Sequence, residues 1–281
     1  MRLSKAFYIV ILLQLIAVTG LQAQMQRQRV AVASTVDDAF WTPTLITQPT
    51  TEHIPARNLN VTIMHSFGIA TTDAISNFFG FDNVQNVRLG LDMGLTNRWS
   101  VGIGRSSQLN VVDIRTKYAL FQQDSLKKMP VSISLQGDLG IITQENRQPL
   151  SDDVSIASSL IFSRKFSKRF SLQILPTYAH FNRYNAIGSQ NLFALGMGMA
   201  IHLSKRYALT AEYYPVLGEH LPGTKNAFSL GMNIQTGGHV FQLFFTSTEW
   251  HLQQFVIADN DQQFWAGDFR FGFNVNRIFG L

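Results

Sequence analysis

Val87-Arg88-Leu89-Gly90-Leu91-Asp92-Met93-Gly94-Leu95 alternates without a break between apolar side chains and charged or very small ones. Such a period of two belongs to a β-strand with one greasy face and one polar face. The same pattern recurs with Val131, Ile133 and Leu135 against Ser132, Ser134, Gln136 and Asp138. It returns with Phe193, Leu195, Met197, Met199 and Ile201 against small residues and His202, and again with Phe269, Phe271, Phe273 and Val275 at the C-terminus. Many of these stretches reach ten residues, where soluble strands average five or six and a tilted bilayer-crossing strand needs about 9 to 11.

Tight polar corners separate the alternating stretches. Asn97-Arg98-Trp99, Lys168-Arg169-Phe170 and Lys205-Arg206-Tyr207 each end in an aromatic, and Lys127-Lys128-Met129 and Gly237-Gly238-His239 occupy equivalent places without one. Longer connections lie near residues 71–83, 145–152, 183–190, 217–225 and 249–266. Short turns on one side and long loops on the other are the asymmetry of outer-membrane barrels. Five short turns plus a first and a last strand predict an all-β, antiparallel, transmembrane up-and-down β-barrel of about 12 strands over residues 57–281. Its short turns would face the periplasm and its longer loops the outside. Trp99, Phe170 and Tyr207 would form a periplasmic aromatic girdle at the headgroups.

Composition agrees with that class. The 281 residues are 46% hydrophobic and 12% aromatic but only 15% charged, too apolar for disorder. No uninterrupted apolar run of 18 follows the N-terminus, which argues against helical spans. Arg2 and Lys5 followed by apolar Ala6–Gly20 read as a secretory leader, residues 1–23, cut after Ala23 with Gly20 as a competing site. Its loss lowers the formal charge from +5 to about +3, a scattered excess that is no nucleic-acid footprint. The absence of cysteine excludes a disulfide framework. Residues 24–56 contain Pro43, Pro49 and Pro55, which exclude a central strand; the segment is a periplasmic extension or a peptide tucked into the lumen. Asp73–Phe81, with Phe78, Phe79 and Phe81, reads as a helical turn in the first outer loop or as a loop that folds its own aromatic cluster over the barrel rim.

With the apolar face toward lipid, the lumen inherits Arg88, Asp92, Asp113, Arg115, Lys117, Asp138, Glu212 and Arg270. Four positive and four negative charges in a narrow interior are expected to pair with one another rather than to form a selective ring of one sign. The lumen-facing Gly90, Gly94, Gly102 and Gly104 leave room for a ligand or for the N-terminal segment, or ease strand curvature.

Catalytic and metal motifs are weak. The seven histidines, His53, His65, His180, His202, His220, His239 and His251, show no metal-ligand spacing, so no metal and no cofactor is expected. His180 with Tyr178 and Asn182 is the nearest approach to a catalytic cluster. Asp259-Asn260-Asp261 lacks the glycine and the later glutamate of an EF-hand and reads as a solvated outer loop. Gly102-Ile103-Gly104 lies within a strand pattern and opens no helix, which rules out a nucleotide loop.

Phe79-Gly80-Phe81-Asp82-Asn83, Arg88-Leu89-Gly90-Leu91-Asp92-Met93-Gly94 and Trp99-Ser100-Val101-Gly102-Ile103-Gly104-Arg105-Ser106 resemble an uncharacterised family of Gram-negative outer-membrane β-barrel proteins, a domain of unknown function. Met129–Ser132, Pro176-Thr177-Tyr178, Ala211–Pro215 and His239–Leu243 extend the resemblance from about Thr44 to the end. It implies a barrel in the outer membrane and carries no substrate or catalytic residue. The expected role is a non-enzymatic barrel in contact with outer-membrane lipid, passing a small solute or binding a periplasmic partner. A membrane-embedded lipid hydrolase using His180 and a soluble periplasmic ligand-binding β-sandwich are the alternatives.

Overall fold

The computed structural model describes residues 34–36, 38–126, 128–146, 148–184 and 188–281; the expected leader lies outside them. Thirteen strands are formed: β1 (Asn58–Ile69), β2 (Val84–Gly94), β3 (Trp99–Ser106), β4 (Val112–Phe121), β5 (Ser132–Ile141), β6 (Val154–Lys165), β7 (Phe170–Tyr184), β8 (Gly188–His202), β9 (Tyr207–Tyr214), β10 (Val216–Leu217), β11 (Ala227–Thr236), β12 (His239–Thr246) and β13 (Arg270–Gly280). Neighbours in sequence pair antiparallel, and β1 pairs with β13 to close the ring. The two-residue β10 sits on β8 beside β9, so twelve strands make the barrel.

The alternation sorts residues as a bilayer requires. In β2, Arg88 is completely buried while Leu89 is 58% exposed. Leu91, Ile103, Ile114, Leu135, Phe193 and Leu230 stand outward in the same way. A contiguous apolar belt on the outer surface with the polar side chains inside is the inverse of a soluble protein and fits lipid. The β-sandwich alternative therefore fails: the sheet closes on itself and turns its polar face inward.

The expected short turns all lie at one end. In the first of the aromatic corners, Thr96 Oγ1 accepts from the N–H groups of Arg98 (3.1 Å) and Trp99 (3.0 Å). Ser167 and Ser204 cap the turns before Phe170 and Tyr207 identically. At the opposite end, β7 and β8 continue through most of 183–190, where the sequence predicts a loop. That end also carries the connections 70–83, 142–153 and 215–226, a five-residue connection between β3 and β4, and the long segment between β12 and β13. Pro176, inside β7, lacks an N–H, and the β6–β7 ladder lapses between Ser159↔Thr177 and Phe162↔Ile174. The 70–83 loop packs its aromatics on the barrel's outer surface, with Phe81 5.0 Å from Phe67 and 5.1 Å from Phe271 between ring centroids.

Placing a charge on the lipid face tests this orientation. Leu91→Arg should cost about 2–4 kcal/mol of folding stability in bilayers, and Asp92→Asn, one residue on but lumen-facing, markedly less, as read by denaturant titration of the refolded barrel.

Candidate functional site

Residues 38–56 occupy the lumen from the short-turn end. Pro43–Thr50 form a compact hairpin-like loop, closed by Leu45 N–H to Gln48 O (2.7 Å) and Thr50 N–H to Pro43 O (2.9 Å). With ends held this way, the N–H groups of Ile46, Thr47 and Gln48 converge on one point outside the loop. There the Glu212 carboxylate from β9 accepts all three at 2.6–3.0 Å, together with the Thr47 hydroxyl at 2.9 Å. Successive backbone N–H groups of this kind form an anion-binding nest. Opposite in sign, the Lys117 ammonium from β4 donates to the carbonyls of Pro43 (3.2 Å), Thr50 (3.0 Å) and Glu52 (2.6 Å), using all three of its protons.

Neutral groups complete the seat. Gln242 donates to Thr44 O (3.3 Å) and Leu45 O, Asn274 to Ile46 O (2.9 Å) and Gln173 to Pro49 O (3.2 Å), and the Thr51 and Ser163 hydroxyls share a hydrogen bond. Glycine provides the clearance. A Cβ at Gly94 would meet the carbonyls of Ile54 and Pro55, and one at Gly198 would lie 2.8 Å from both Leu45 and Gln48.

The other half of the interior is filled from the long-loop end. Residues 247–260 fold inward, and the single turn α1 (Gln253–Ala258) is buried throughout. Trp250 stacks on Phe255 at 4.3 Å, and Phe255 meets Phe181 edge-on at 5.3 Å. Gln253 ties this loop to the wall, donating to Asp138 (3.0 Å) and accepting from Ser159 (2.7 Å) and Tyr214 (3.0 Å). The solvated-loop reading of 259–261 is corrected for its first two residues: Asn260 is buried, and Asp259 accepts from the Trp250 indole at 2.9 Å, while Asp261 is exposed. The apolar run Phe255-Val256-Ile257-Ala258 has more to gain inside the barrel mouth than in water.

Between the two fillings, five of the expected lumen charges meet. Arg88 makes a bidentate pair with Asp113 at 2.7 and 2.9 Å. Arg115 reaches Asp113 at 3.4 Å, Asp92 at 3.6 Å and Asp138 at 4.0 Å. The other three depart from mutual pairing. Lys117 and Glu212 bind the backbone of the N-terminal segment, and Arg270 pairs with Glu249 of the inward loop at 2.8 Å. A void of about 20 Å³ lined by Pro43, Ile54, Asp92, Arg115 and Lys117 is the space left where segment and ion network join, about one water molecule. Gly90 and Gly104 leave clearance for the Arg88 guanidinium and Gly102 for Asp92.

Trp99, Phe170 and Tyr207 stand outward at the starts of β3, β7 and β9, with the Trp99 indole donating to Thr116 at 2.9 Å. His180 lies partly buried on the outer surface, with its ring nitrogens 2.9 Å from the Asn191 and 3.0 Å from the Asn182 side-chain oxygens. Tyr178 donates to the same Asn191 oxygen at 2.6 Å. No group of three or more metal-ligating side chains occurs among the described residues.

Residues 40–279 match a family described as a membrane-bound β-barrel domain, DUF5777. No curated protein matches the chain by sequence. Among solved structures, the KdgM porin is similar at 9% identity and a TM-score of 0.51, over 78% of this chain and 98% of that one. The NanC porin is similar at 9% identity and 0.49, over 79% and 99%. KdgM in complex with disordered oligogalacturonate gives 8% and 0.49, over 78% and 98%. At such identities the KdgM match shows a shared fold and nothing further.

Two titratable groups of the lumen segment itself are shifted in opposite directions. Burial pushes the Glu52 carboxyl up to about 7, opposed by the Phe40 N–H it accepts and by Lys117. Burial, aided by Lys117, pushes the His53 imidazole down to about 3. A raised Glu52 favours the seated segment at low pH, an advantage lost as pH rises from about 4.5 to 7. A depressed His53 favours it above about 6.5 and weakens it as pH falls from there toward 3. The two oppose one another between about 4.5 and 6.5, so protease protection of residues 38–56 should be nearly flat over that window. Glu52→Gln should make protection fall with falling pH, and His53→Gln should make it rise.

Proposed function

The chain belongs to the family of membrane-bound β-barrel domains, and from that premise we propose that it is a non-enzymatic outer-membrane barrel whose passage for a small polar solute is closed at rest by its own N-terminal segment. The observation that carries this reading is the kind of contact holding the segment. Glu212 and Lys117 are buried charges satisfied by the backbone of a peptide that enters from outside the ring, not by partners on the wall. A barrel closed only for strength would be better filled with apolar side chains, because desolvating unpaired charges is costly. Polar walls, among them Asn60, Asn86, Gln136, Gln173, Asn233 and Asn274, would admit water once the segment leaves.

A leader read from Arg2, Lys5 and the apolar run after them, together with the even strand number, supports a periplasmic position for both ends of the barrel, with the long loops outward. The apolar belt contacts outer-membrane lipid, and Trp99, Phe170 and Tyr207 sit at its periplasmic headgroups. The eight lumen charges, Arg88, Asp92, Asp113, Arg115, Lys117, Asp138, Glu212 and Arg270, line the path. Their balanced signs support weak selectivity between cations and anions. Against hydrolysis stands the setting of His180, whose ring nitrogens both face asparagine oxygens, so that neither faces a hydroxyl nucleophile.

Planar-bilayer recording tests the proposal. The full chain should show no unitary steps. Deleting residues 38–53 should give small steps, and also replacing 250–260 by a Gly-Ser linker should enlarge them. A doubly altered barrel that keeps its heat-dependent gel mobility yet stays silent would contradict the reading.

A further inference from the structure

The mouth at the short-turn end holds a cavity apart from the Glu212 and Lys117 contacts and from the ion network. The turns β6–β7 and β8–β9 stand side by side because β7 pairs with β8, and the His202 N–H donates to Arg169 O across them at 2.8 Å. Their matching serine caps present Lys168, Arg169 and Lys205, all exposed, to one space of about 490 Å³. Lys165 also lines it, and Asp38 is the one carboxylate in its lining.

The floor is built of rings. Trp41 of the lumen segment stacks on His202 with centroids 5.1 Å apart and an interplanar angle of 29°. The His202 side chain is more than nine-tenths buried, and its Nε2 has no hydrogen-bond partner. Converging cations repel one another, and one multivalent oxyanion relieves that repulsion. Arginine offers a planar fork and lysines offer point charges, a donor set suited to the several oxygens of a phosphate more than to the two of a carboxylate. The space far exceeds a bare phosphate, so an organic substituent fits beside it against Trp41.

We propose that this cradle binds a phosphate ester, with Lys168, Arg169 and Lys205 on its oxygens and Trp41, backed by the His202 ring, against its organic part. The phosphate can come from a soluble ester or from a phospholipid headgroup of the adjoining leaflet.

The full chain in detergent micelles should be titrated with glycerol 3-phosphate and with inorganic phosphate, following tryptophan emission. In parallel, nanodiscs of phosphatidylcholine with and without phosphatidylglycerol should be examined for retained lipid by native mass spectrometry. A saturable emission change that is absent in Trp41→Phe and weakened about tenfold or more in Lys168→Ala/Arg169→Ala/Lys205→Ala assigns a soluble ester. Phosphatidylglycerol retained by the wild type and released by the triple variant, with no response to the soluble probes, assigns the headgroup. Lys205→Glu, a single change at an exposed turn, should shift binding in the same direction and guards against misfolding of the triple variant. Absence of binding in both arms, or binding that the triple variant and Lys205→Glu leave intact, would overturn the proposal.

Discussion

Glu212 and Lys117 face each other across the lumen with the same loop of backbone between them, one taking its N–H groups and the other its carbonyls. The interior depends on that arrangement. A barrel that turns its apolar side chains to lipid must fill its centre with polar ones, and each buried polar group then needs a partner. Wall charges alone leave Glu212 and Lys117 unmatched, since Arg88 and Arg115 are already committed to Asp113, Asp92 and Asp138. A peptide backbone carries donors and acceptors in equal number, and can satisfy an anion on one edge and a cation on another without bringing a countercharge of its own.

The rest of the packing follows. The loop can approach Glu212 only where the wall is bare, which is why Gly198 lies against Leu45 and Gln48, and Gly94 against the carbonyls of Ile54 and Pro55. The Arg88–Asp113–Arg115 set forms the ceiling over the segment, and Asp138 passes the contact on to Gln253 and the inward loop. Two separate pieces of chain thus meet the same ion network from opposite ends.

The barrel itself was legible in the sequence because one physical rule, alternation on a pleated strand, acts along each strand between residues 58 and 280. Arg88 buried beside an exposed Leu89 is that rule read directly, and the polar corners, three of them ending in an aromatic, marked where strands reverse. What was not legible depended on tertiary partners. Nothing local in Thr42–Thr50 says that its N–H groups will converge on a carboxylate more than 160 residues away, although a proline-punctuated stretch with no charge between Ala39 and Thr51 was a sign of a buried path. The inward fold of 247–260 was not legible because the charged Asp259 and Asp261 signal solvent while the apolar Phe255–Ala258 beside them is too short a run to signal burial by itself. The expectation that lumen charges pair among themselves failed at Lys117, Glu212 and Arg270 for one reason: pairing by sign ignores backbone dipoles and loop residues such as Glu249 as competitors.

Seating of the N-terminal segment against the wall is the central claim, and the cysteine-free sequence makes it directly measurable. Thr51→Cys/Ser163→Cys replaces two hydroxyls that touch in the folded barrel. On mild oxidation in native membranes the pair should form an intramolecular disulfide in nearly every molecule, visible as a mobility shift reversed by reductant. Free thiols after oxidation in a barrel that is otherwise folded, or bridges only between separate chains, would contradict the account.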